Sequence, residues 1–275
     1  MNRDLGTKLQ NVDRRIIYTV LFIVLAVPLL KPIGLPINIT NETKVAFDTI
    51  QAIPSGKAVL FTSTIGPSNA AEIHPQGIAV MSHLIGKKVK VVFAPTGAEA
   101  IQYQYIYAQM CKDAGYKEGE DYIILPFMAG EETVYAAIGK DIKSLYASQP
   151  KSPLWDSIKD VTDFALIIDS SGGPSQRYAL AHIGGPRKVK IVPLVVGVIL
   201  TTIQPYFNAG QLSGIVSALS GAAEYETLVK APGKGLSGMD AQSLGHVWII
   251  FLVVVGNIAY YMTKQEQTKK GGASR

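Results

Sequence analysis

Two long apolar stretches bracket this chain, and between them short apolar runs alternate with helical patterns. The first stretch, IIYTVLFIVLAVPLL at residues 16–30, continues into KPIGLPINI. It falls short of the roughly 20 residues that span a bilayer as a helix. With Lys31 snorkelling to the interface, residues 16–33 are expected to form a first transmembrane helix. No small-x-small cleavage site follows the run, which reads as an uncleaved anchor. The second stretch, LGHVWIIFLVVVGNIAYYM at residues 244–262, has spanning length. Trp248 lies near one end and Tyr260 and Tyr261 near the other, the pattern of an aromatic belt.

Residues 40–230 read as an α/β domain. Short runs expected as strands fall near 57–64, 89–94, 121–126, 164–169 and 189–196, separated by helical patterns such as TKVAFDTIQAI, AEAIQYQYIYAQMCKDAGY and EETVYAAIGKDIKSLYAS. That alternation predicts βαβ units and a mostly parallel sheet, with both faces covered because its strands are continuously apolar. The expected fold is Rossmann-like or flavodoxin-like, flanked by one N-terminal and one C-terminal transmembrane helix. Residues 231–243 read as a Pro/Gly linker, with basic segments at 1–15 and 263–275.

From Ile191 to Ala223 the chain carries no charge. The expectation here is a strand running into a loop around QPYFNAG, then a helix from about Gln211 to Val229. On such a helix Gly210, Gly214, Ala218 and Ala222 recur every fourth position as one small stripe, suited to close packing on the domain's own sheet or on another subunit.

Charge then sets the topology. The formal net charge of +5 resembles a basic partner surface until it is located. Arg3, Lys8, Arg14 and Arg15 precede the first apolar run, and Lys264, Lys269, Lys270 and Arg275 follow the second. By the positive-inside rule both ends are cytoplasmic and the domain between them is periplasmic or extracellular. No nucleic-acid partner is expected. The expected partners are the lipid bilayer, further copies of this chain and other membrane proteins. The sequons at Asn38 and Asn41 occur by chance too easily to weigh.

Candidate chemistry is sparse. Each strand ends in small or polar residues, and in open α/β sheets ligands sit outside the carboxyl ends of strands. Ser63, Thr64, Ser68, Thr96, Gly97, Gly130, Asp169, Ser170 and Ser171 are therefore the candidate ligand-binding residues. DSSGG at residues 169–173 reads first as a turn capped by Asp169, and more weakly as a ligand contact or a serine nucleophile. The elbow G-x-S-x-G, the fingerprint G-x-G-x-x-G and the phosphate loop are absent from this sequence. Glu72, His74 and His83 lack metal-ligand spacing, Pro75 is expected to interrupt the helix that carries them, and Ser68 or Asn69 is expected to cap it. No metal, cofactor or catalytic residue is assigned. The lone Cys111 reads as a small buried hydrophobe. The leading expectation is a non-enzymatic, membrane-anchored scaffold or accessory subunit of a homo-oligomeric assembly. A small-ligand binding or sensor domain comes second and a serine hydrolase third.

Overall fold

The structure, a computed structural model, describes residues 8–9 and 11–272, with side chains to residue 264. It divides into two compact units, Met1–Leu35 with Ser237–Arg275, and Pro36–Leu236.

The second unit is a three-layer α/β sandwich. Its strands are β1 (Ala58–Ser63), β2 (Lys90–Pro95), β3 (Tyr122–Ile124), β4 (Leu166–Ser171), β5 (Ile191–Val195) and β6 (Val216–Ser217). They form one parallel sheet in the order β3-β2-β1-β4-β5-β6. This is the doubly wound Rossmann-like order and not the flavodoxin-like 2-1-3-4-5. Alternate side chains feed two cores: Val59, Phe61, Ile168 and Val192 face one layer, and Leu60, Ile167 and Ile191 face the other. The first layer holds α2 (Asn41–Gln51), α3 (Ala70–Gly86), α4 (Ala100–Asp113) and α10 (Ala218–Leu228). The second holds α5 (Glu132–Leu145), α6 (Pro153–Ser157), α7 (Ser175–Ala179) with the turn that continues it, and α9 (Gly197–Asn208). A short α8 (Gly185–Arg187) precedes β5.

Several expectations are corrected. Residues 211–215 are not helical: Gly210 (φ +72°), Gly214 (φ +117°) and Ala218 (φ +58°) all take left-handed backbone, which breaks any helix across them. Gly210, Gly214, Ala218 and Ala222 therefore share no helical face, and Val216–Ser217 forms the edge strand instead. A Cβ at Gly214 would collide with the backbone of Ala46, so the close approach there is loop to helix. The loop expected around QPYFNAG is largely helix α9, which buries only Ile203 of its 12 residues. Pro75 does not interrupt α3, whose residues 70–86 are continuous through it. The expected linker at 231–243 is helical from Lys234 onward.

The first unit contains α1 (Arg14–Leu30) and nearly all of α11 (Lys234–Gly272). Lys234–Lys264 is long and apolar enough to cross a membrane. α1 has 17 residues, about 25 Å at 1.5 Å per residue, somewhat less than a full bilayer core. The two helices run antiparallel. Asp240 near the start of α11 accepts from the backbone N–H groups of Ile33, Gly34 and Leu35 at 2.7, 2.9 and 3.0 Å, just beyond the end of α1. Further along, a Cβ at Gly245 would lie 3.0 Å from Leu25 Cδ2. Among the less exposed residues of α11, Ala241, Gly245, Trp248, Leu252, Val255, Ala259 and Met262 recur at spacings of four and three, the pattern of a two-helix seam; Ser243, Leu244 and Thr263 are partly covered beside it. Phe22, Ile23, Val247, Ile250, Phe251 and Val254 point outward and are at least half exposed.

Candidate functional site

The strand order reverses between β1 and β4, and their carboxyl ends form the crevice where doubly wound sheets place ligands. The register sets Thr62 beside Asp169 and Ser63 beside Ser170. Beyond the strands Thr64 N–H donates to the Ser170 carbonyl (2.9 Å), and the Thr64 hydroxyl donates to Ser171 Oγ (2.6 Å). On the other side Thr96 and Gly97 N–H groups donate to the Ser63 carbonyl at 2.9 and 3.1 Å. Gly97 needs its missing side chain because a Cβ would meet the Thr64 backbone at 3.0 Å. The structure thus brings Ser63, Thr64, Thr96, Gly97, Asp169, Ser170 and Ser171 together. Ser68 is exposed on the loop after β1. Gly130 is exposed on the loop after β3, two strands from β1, and joins none of these contacts.

The crevice is closed by the protein's own groups. Ser171 Oγ also accepts from Gly173 N–H (2.9 Å), and Asn69 Oδ1 accepts from Gly66 N–H (3.0 Å). Asn69 therefore faces its own loop and does not cap α3 with its side chain, and Ser68 stands outside the cap position, contrary to the sequence expectation. Glu99 lies over Gly66 and Asn69 over Gly172, each where a Cβ would stand. At the head of α9, Gly197 N–H donates to Glu72 Oε2 (2.9 Å). The Gly66, Gly173 and Gly197 amides at these loops, which could otherwise receive an anion, already hold internal acceptors.

Asp169 is not a turn cap. It lies inside β4, fully buried, where Thr62 Oγ1 (2.7 Å) and the Tyr135 hydroxyl (2.5 Å) donate to Oδ1 and Ser175 Oγ (2.6 Å) donates to Oδ2. Burial raises its carboxyl above the usual carboxylate value, opposed by the three hydroxyl donors. Burial and the neighbouring Asp169 hold the Tyr135 phenol well above its ordinary range. This cluster ties α5 and α7 to the sheet. It leaves Asp169 unavailable as a base toward Ser170, whose Oγ is buried without a partner, or toward Ser171, already engaged by two donors.

Sequence reasoning missed Gln176, Arg177 and the α9 wall. Gly173, Pro174, Gln176 and Arg177 face Ile199, Thr202 and Ile203 across a cavity of about 270 Å³ beside the crevice. A signal was present: carried forward from Ser63 and Ser170, the register pairs Gly66-Pro67-Ser68-Asn69 with Gly173-Pro174-Ser175-Gln176. Two such matched loops mark the switch point directly.

No family model matches the chain, and no curated protein matches it. Among solved structures it is similar to the C-terminal domain of a glycosyl transferase group 1 family protein (LpcC) from Francisella tularensis. Identity is 13%, the TM-score is 0.34, and the match covers 78% of this chain and 94% of that one. A likeness this distant carries no functional argument.

Proposed function

We propose that this chain is a non-enzymatic, two-span membrane protein. It holds its α/β domain on the extracytoplasmic side as a scaffold or accessory subunit of a homo-oligomeric assembly. The observation that carries the reading is the antiparallel pairing of α1 with α11, sealed along one seam and apolar outward. Antiparallel packing sends the Arg14–Arg15 end of α1 toward the Lys264 end of α11, which matches two basic cytoplasmic flanks. The seam takes in Ala241, Gly245 and Ala259 together with Trp248 and Leu252, and Phe22, Val247, Ile250 and Phe251 remain outward for lipid.

The non-enzymatic part is supported by the crevice, where Thr64, Ser171 and the Gly173 amide bond one another and Asp169 is committed to three donors. Self-association is supported by α9, whose Val198 is 79% exposed and whose Ile199, Leu200, Tyr206 and Phe207 are only half-buried. The Gly210-to-Ala222 stripe no longer contributes to this reading. Native mass measurement of the detergent-extracted protein tests it: a defined homo-oligomer is expected, and a strictly monomeric species would refute the assembly.

A further inference from the structure

We propose that the cavity between the β4 loop and α9 binds a small hydroxylated anion. The site does not depend on the assembly reading. It lies at the carboxyl ends of β4 and β5, where this sheet type binds ligands, yet one strand away from the self-satisfied crevice. Its volume of about 270 Å³ suits a small polyol acid.

The lining specifies the chemistry. Gln176 is fully buried, and its Nε2 donates to the Ser171 carbonyl at 3.3 Å, which fixes Oε1 as the acceptor. That Oε1 has no partner, and a buried acceptor without one is a standing demand for a donor. Thr202 donates its hydroxyl to the Ile199 carbonyl (2.7 Å), so toward a ligand it offers lone pairs. Two acceptors call for hydroxyl donors. Arg177 is exposed, with no carboxylate among the described residues in ion-pair contact, and its planar guanidinium presents a fork of donors suited to a carboxylate or phosphate. Loop amides at Gly66, Gly173 and Gly197 already have acceptors, and Arg177 is the charged side chain in the cavity's lining, placed to hold the anion. Ile199 and Ile203 supply an apolar wall for the carbon chain.

Hydroxy carboxylates and sugar phosphates share this chemistry, and the experiment separates them. Isothermal titration calorimetry on the full chain in detergent uses glycerate, tartrate, glycerol 3-phosphate and glucose 6-phosphate, with glucose, acetate and inorganic phosphate as controls. Saturable binding is expected for one charged, hydroxylated group, the carboxylates or the phosphates, at least tenfold tighter than for the controls. Arg177→Ala and Gln176→Met should each weaken it at least tenfold. Ile199→Trp, which fills the cavity from its half-buried wall, should abolish it and keeps the test valid if Gln176→Met fails to fold. Absence of saturable binding by all four probes would overturn the proposal. So would equal binding of a control, or affinity unchanged in both Arg177→Ala and Ile199→Trp.

Discussion

The Thr64 hydroxyl donates to Ser171 Oγ across 2.6 Å, joining the loops that leave β1 and β4 at the point where the strand order reverses. In a doubly wound sheet this is where a ligand would part the loops. Here the loops hold each other. Ser171 Oγ receives Gly173 N–H as well, so the serine serves as an acceptor for its surroundings.

That arrangement predicts no nucleophile. A fluorophosphonate probe should leave the folded protein unlabelled at Ser170 and Ser171, because neither faces a free base. Labelling that disappears in Ser171→Ala would restore the hydrolase reading. Thr64→Val should cost about 1 kcal/mol in a denaturant titration, the net worth of one hydrogen bond between neutral groups.

Asp169 is a structural acceptor, and its two simplest variants should separate widely. Asp169→Ala leaves the Thr62, Tyr135 and Ser175 hydroxyls buried without their acceptor and should cost roughly 3–5 kcal/mol. Asp169→Asn keeps the shape and a carbonyl oxygen and should cost about 1 kcal/mol. Equal losses measured by denaturation would show that the three hydroxyls do not depend on this carboxyl.

His83 gives the domain an acid-sensitive element. Tyr225 OH donates to its Nδ1 (2.8 Å), its Nε2 donates to Gln51 Oε1 (2.7 Å), and Phe47 stacks on the ring, all of which suit neutral imidazole. Burial, then the nearby positive Lys87, lowers its pKa from 6.5 to about 4. Between those values the unfolded chain binds the extra proton, so stability falls as pH drops through 6.5 toward 4. At about 1.36 kcal/mol per unit, the wild type should lose about 3 kcal/mol more than His83→Phe over that range. Identical pH slopes in the two proteins would contradict the assignment.

The glycines of the uncharged segment should respond differently to alanine. Gly214 combines positive φ with contact against Ala46, so Gly214→Ala should cost roughly 3 kcal/mol or more. Gly210 has positive φ and open space, so Gly210→Ala should cost about 1 kcal/mol. Were the segment a helix, both changes would stabilise it by about 1 kcal/mol. Denaturation midpoints decide between the two.

The contrast explains what the sequence conveyed. VLF, VVF and LII are continuously apolar because helices cover both faces of their strands, and that local pattern placed five strands within two or three residues. The segment at 210–222 misled because a four-residue spacing means a shared face only if the backbone stays helical. Left-handed φ at Gly210, Gly214 and Ala218 is set by packing against Ala46 and by the edge strand at Val216, both distant in sequence. α9 was missed for the opposite reason: GVILTTIQPYFN is apolar and β-branched all round, without a 3.6-residue period. Asp169 read as a turn cap because Thr62 and Tyr135 reach it only through the register of β1 on β4 and the docking of α5. The candidate loops themselves were legible, since Gly, Ser and Pro at strand ends are local signals. Which of those loops border open space was not.

The central claim is that two helices anchor an extracytoplasmic domain, and its most direct test is the side from which the domain can be labelled. Cys111 is fully buried and its thiol is pushed up to about 12 by burial, aided by Asp121, so it contributes little background and is replaced by Ala for certainty. A single cysteine is then placed at exposed Ser68 and treated with a membrane-impermeant maleimide in intact cells and in inverted vesicles. The account predicts labelling in intact cells and protection in inverted vesicles. Labelling confined to inverted vesicles would place the domain in the cytoplasm and contradict it.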